Sequence, residues 1–91
     1  MTWYYLSFAD ASRPKGEQFL GGLVIEAANA EDAPMLAWLI GENPGGEVLI
    51  VEIEHVPPER YRGRLLGKEQ LREIGGEMGD PRLRNAAGRF V

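Results

Sequence analysis

Residues 3–9, WYYLSFA, limit the possible folds of this chain more than any other stretch. Their aromatic and apolar side chains favour a strand. Alternation then sends Trp3, Tyr5 and Ser7 to one face and Tyr4, Leu6 and Phe8 to the other. Both faces are largely apolar. Such a strand suits a central place in a sheet, covered above and below.

The elements that could flank it follow in order. Residues 10–18, DASRPKGEQ, form a polar loop with proline and glycine. Residues 19–28, FLGGLVIEAA, read as a second strand, in which Gly21 and Gly22 predict a bulge or a close approach of another backbone. Over 29–43 the period changes. Asn29 can cap a helix, and Asp32 stands where a capping box would carry glutamate. Pro34 is tolerable only in a first turn, so regular helix should begin between Ala30 and Ala33. Ala33, Leu36, Ala37 and Ile40 share one helical face, whereas Met35, Trp38 and Leu39 are apolar too and point elsewhere.

Residues 47–55 give a third strand, with Leu49, Val51 and Ile53 on one face and Val48, Ile50, Glu52 and Glu54 on the other. Pro57 and Pro58 stop it. A short helix over 58–66 would pair Tyr61 with Leu65 and turn Arg60, Arg62 and Arg64 outward. Residues 68–74 can add a turn or two before Gly75 and Gly76, and residues 76–91 hold too few apolar side chains for a core element.

The order strand, strand, helix, strand restricts topology. A right-handed crossover makes the second and third strands parallel, and the doubly apolar first strand fits between them, antiparallel to both. The expected fold class is therefore α+β. It comprises a three-stranded antiparallel or mixed sheet of order 2-1-3, one main helix on one face in a split β-α-β arrangement, and short C-terminal helical segments. The other sheet face is expected to be open, with Trp3 or Tyr4 on it. At 91 residues there is room for one core, assigned to 1–76, with 77–91 as a tail held by contacts.

Several function classes are disfavoured on chemistry. Without cysteine there can be no disulfide, thiolate metal site or cysteine nucleophile, which suits a reducing compartment. The start, MTWYYLSFAD, lacks the basic and apolar regions of a signal peptide. The longest apolar run, residues 35–40, is far short of a membrane span. These features point to a soluble, cytoplasmic protein. Charge is uneven: residues 1–55 hold two basic and nine acidic side chains, and residues 56–91 hold eight basic and five acidic ones. Arg60, Arg62, Arg64, Arg82 and Arg84 form a candidate basic patch for nucleic acid, but the acidic body would repel the phosphates such a patch attracts. An accessory nucleic-acid-binding module is thus the alternative to a non-enzymatic, oligomerising domain that acts through protein contacts.

NPGGEV at 43–48 looks most like a motif. Phosphate-binding glycine loops end a strand and open a helix, so that N–H groups face the anion. Here the order is reversed, a helix end precedes the glycines, and they are expected only to turn the chain, with Gly41 or Asn43 as the left-handed cap. His55 adjoins Glu54 and lies near Glu52, yet neighbouring strand residues face opposite ways, so Glu54 and His55 cannot easily converge on one ion. Ser7 and Ser12 have no histidine nearby to activate them. The aromatics of 3–8 could stack bases on an open sheet, but strand aromatics are ordinarily core. No residue is assigned a catalytic, cofactor-binding or metal-binding role, and no cofactor is implied. The remaining anomaly is apolar excess. One helix on three strands cannot hide Trp3, Tyr5, Met35, Trp38 and Leu39, which become the candidate interface of a homo-oligomer, with a dimer favoured.

WYYLSFAD, QFLGGLVIEAANAEDA and NPGGEV together resemble a pattern in small proteins encoded by bacteriophages and prophages. The resemblance covers residues 3–55. It implies an accessory protein of the bacterial cytoplasm and carries over no catalytic or binding residue.

Overall fold

A computed structural model describes residues 1–78. Its elements are β1 (Thr2–Ala9), β2 (Phe19–Ala27), α1 (Asp32–Leu39), β3 (Glu47–Ile53), a single 3-10 turn (Glu59–Tyr61) and α2 (Lys68–Met78). The fold is α+β with strand order β2-β1-β3, and β1 is antiparallel to both neighbours.

The central strand behaves as its two apolar faces require. Residues 4–9 are all buried. Tyr4, Leu6 and Phe8 pack with Leu23, Ala27, Ala33 and Ala37 in a core beneath α1. Tyr5 faces the other way, into a second core built from Val24, Ile53, Tyr61, Leu66, Leu71 and Ile74. The second face is therefore covered, not open as the sequence suggests. Its cover comes from apolar residues thinly spread through a charged stretch, where no single helical face gathers them. Tyr4 lies on the α1 side, and Trp3 is half-buried beside the second core.

The expected helix over 58–66 does not form beyond one 3-10 turn. Arg62 is extended, with ψ 136°, and Gly63 takes a left-handed φ of 66°. The chain instead runs along the outer edge of β2. Gly22 and Leu66 exchange both backbone hydrogen bonds, at 2.9 and 2.7 Å, and the Gly63 N–H donates to the Val24 carbonyl at 2.9 Å. Tyr61 and Leu65 consequently pack in opposite cores. Helix α2 is longer than expected and runs through Gly75 and Gly76 to Met78. Fully buried Leu71 and Ile74 anchor it, and Gln70 reaches back to accept the Gly67 N–H at 3.0 Å.

Helix α1 begins within the expected limits. The Asn29 side chain accepts the Asp32 N–H at 3.0 Å, and Pro34 falls in the first turn. It ends at Gly41, φ 78°, whose N–H donates to the Trp38 carbonyl while the Glu42 N–H reaches Ala37. That pair of bonds is a Schellman cap. The Glu42 carboxylate then accepts the Leu65 N–H at 2.9 Å, which ties the end of α1 to the strip along β2.

The glycine doublet in β2 serves a close approach. A Cβ on Gly22 would lie 2.7 Å from the Tyr5 hydroxyl oxygen and 2.8 Å from its ring, and one on Gly21 would meet Leu65 at 2.8 Å. A bulge accompanies it, because the register slips between Phe8 and Ala9. Gly22→Ala should lower stability by ~1–3 kcal/mol, the usual cost of overpacking. Gly76→Ala, with open space around it in α2, should raise stability by about 0.5–1 kcal/mol. Urea unfolding measures both; coincident midpoints for Gly22→Ala and wild type would refute the close approach.

Candidate functional site

The Gly45–Gly46 segment is a turn. Both glycines are left-handed, with φ of 84° and 75°, and the Gly45 N–H already donates to the Asn43 side chain at 2.8 Å. Asn43 in turn donates to the Pro34 carbonyl at 3.1 Å. A Cβ on Gly46 would collide with the Ala9 carbonyl oxygen. These amides follow the carbonyl-tipped end of α1, where the helix dipole disfavours anions.

Glu52, Glu54 and His55 are all exposed. Among the described residues no group of three histidine or acidic side chains is placed to hold a metal. An apolar groove at the start of α1 is lined by Met1, Ala28, Asp32, Met35 and Leu36, with one carboxylate and no member of that trio. In the 10–18 loop, Ser12 donates its N–H and hydroxyl to Asp10 at 3.0 and 2.5 Å, which holds that carboxyl below its ordinary pKa; backbone order in a turn is the result.

Of the candidate basic patch, Arg60, Arg62 and Arg64 are all exposed. Arg62 lies over the Trp3 ring at 5.1 Å and donates its Nε to the Pro57 carbonyl at 2.8 Å. Arg60 lies over the Tyr61 ring at 4.7 Å. Two guanidinium groups thus lie over aromatic rings of their own chain. Arg82 and Arg84 lie outside the described residues.

Of the five residues assigned to an interface, Tyr5 is removed. It is 1% exposed, beneath the cover of the second core. Trp3 is half-buried under Arg62. Met35, Trp38 and Leu39, at 65, 67 and 72% exposure, stand on the outer side of α1, and Ile40 at its end is 51% exposed. Ala33 and Ala37 are the buried inner side. The helix is apolar all round, and the sheet covers only one side of it.

Ser7 shows what sequence inspection missed. Its hydroxyl and that of Tyr5 are both buried without a hydrogen-bond partner, on the same face of β1. Both residues are fully buried.

Compared with protein families, curated proteins and solved structures, the chain matches none. No described helix is long and apolar enough to cross a membrane.

Burial raises the Tyr5 pKa from 10.0 to about 12, and the Ser7 hydroxyl, which can donate to the phenolate once it forms, opposes the shift. A raised pKa in the folded state means that folding holds the proton more tightly than the unfolded chain does. Stability is then full below pH 10.0 and should fall as pH rises towards about 12. Tyr5→Phe removes an unpaired buried hydroxyl. It should leave neutral-pH stability unchanged or raise it by up to about 1 kcal/mol, and should flatten the alkaline loss. Denaturant unfolding across that range checks both outcomes; a variant destabilised by as much as a lost hydrogen bond would contradict the geometry.

Proposed function

We propose that this protein is a small non-enzymatic domain that self-associates and acts through protein contacts, with the outer side of α1 as its contact surface. One observation supports this above the others: Met35, Trp38 and Leu39 are exposed together on an eight-residue helix whose inner side is already packed. A helix apolar on every side belongs in an interior. A second copy presenting the same side would supply that interior, and a two-fold dimer is the simplest closed arrangement. The small size of the chain favours such pairing, because a domain of 91 residues buries a modest share of its surface alone.

The lack of cysteine suits a cytoplasmic setting, and an accessory part of the phage type that the sequence resembles is consistent with a module that works by contact. The nucleic-acid alternative is the weaker one. Arg60 and Arg62 are stacked on Tyr61 and Trp3, and the first 55 residues are strongly acidic.

Light scattering over a concentration series tests the reading. Wild type should be dimeric at high micromolar concentration. Leu39→Glu combined with Trp38→Ala should weaken association by at least about 10-fold, as expected for loss of central apolar anchors. Thermal unfolding should remain cooperative, because both side chains lie outside the cores. A monomeric wild type at high micromolar concentration would defeat the proposal.

A further inference from the structure

We propose that the outer edge of β3 docks an extended, basic segment of another protein, which joins the sheet as a fourth strand. The inference is independent of the α1 contact. The sheet has two margins, and the one at β2 is closed by residues 62–66. Among the described residues no strand lies beside β3.

The orientation of the β3 peptide groups follows from the ladder. Gly22 and Val24 direct their backbone bonds outward to Leu66 and Gly63. Alternation in antiparallel pairs then turns Leu23 and Ile25 towards β1, so Leu6 and Tyr4 face β2 and Trp3, Tyr5 and Ser7 face β3. Their partners Ile53, Val51 and Leu49 are used up in that pairing. Val48, Ile50 and Glu52 are left with N–H and C=O groups directed away from the sheet.

The only guard within the strand is negative charge, which repels a second acidic strand and not a basic one. Natural edges are blunted by bulges, proline or lysine. The β1–β3 register is unbroken, and residues 47–53, EVLIVEI, contain neither proline nor lysine. The consecutive apolar residues Val48, Leu49, Ile50 and Val51 read as a strand covered on both faces. None of the four is fully buried, and Val48 is 39% exposed, because α1 lies over β2 and β1 and α2 lies over β2. A strand laid alongside would shelter them on both faces and satisfy the outward peptide groups.

Charge selects the occupant. Glu47, Glu52 and Glu54 are exposed carboxylates along this margin, and residues 47–54 carry no basic side chain. A second β3 would bring three more carboxylates to the seam. A segment alternating lysine or arginine with apolar residues neutralises them and fills the apolar run, the usual chemistry of strand addition.

Residue-resolved amide exchange tests this, using a capped heptapeptide of alternating lysine and valine, with a glutamate–valine peptide as control. In the free protein Leu49, Val51 and Ile53 should exchange slowly and Val48, Ile50 and Glu52 quickly. Saturating lysine–valine peptide should slow Ile50 by at least about 10-fold, less so at high salt, and the glutamate peptide should not. Glu47→Lys with Glu52→Lys should reverse the preference. An unchanged Ile50 rate would overturn the proposal. So would slow exchange at every dilution, meaning that the chain covers its own edge, or slowing only with protein concentration, meaning that a second copy does. Leu39→Glu should retain the peptide response, so failure of the α1 contact and failure of this edge are read separately.

Discussion

The structure depends on β1 being wrapped on both faces at once. Tyr5, Leu6 and Phe8 are each 1% exposed or less, and no single layer could achieve that for residues pointing in opposite directions. Burying a large apolar side chain stabilises by about 1.5–3 kcal/mol, so these three alone provide a substantial part of the margin of a small domain. The requirement dictates the rest. Helix α1 must lie on the Tyr4, Leu6 and Phe8 side, and some other part of the chain must lie on the Tyr5 side. The 3-10 turn, the strip along β2 and α2 meet that second demand. Glycine at 22 is what lets them come close enough, since it accommodates the Tyr5 ring on one face while its peptide group bonds Leu66.

Much of this arrangement was legible in the residues. Period-two alternation in β1 and β3, the change of period after Asn29 and the doubly apolar first strand lead to order β2-β1-β3 with α1 on one face. The helix stop was legible as well, because Gly41 is placed where a left-handed cap is needed. The region after Pro58 was not. Tyr61 and Leu65 have helical spacing, but Gly63 and the open edge of β2 compete for that segment, and strand pairing wins. Local spacing cannot register a hydrogen-bond partner forty residues away. Two signals were available: the glycine doublet in β2, which asks for a close neighbour, and the adjacent Leu65 and Leu66, which suit a segment covered on both sides.

The exposed apolar side of α1 was half legible for the same reason. Met35, Trp38 and Leu39 stand out because a helical wheel needs only local geometry, and the structure leaves them exposed. Tyr5 was misassigned because its exposure depends on α2, an element whose packing face is short and widely spaced. The margin at β3 could not be read at all from the strand itself. Its unbroken apolar run looks like that of a central strand, and only the pairing of the whole sheet reveals that it ends the ladder.

The strip of residues 62–66 along β2 has an effect on assembly as well as on folding. Head-to-tail sheet growth requires each molecule to offer two complementary borders, so that the β3 border of one can meet the β2 border of the next. Here one border is occupied from within, by bonds from Gly22 and Val24 to Leu66 and Gly63. A copy adding to β2 in that register would meet peptide groups at Gly22 and Val24 that are already bonded.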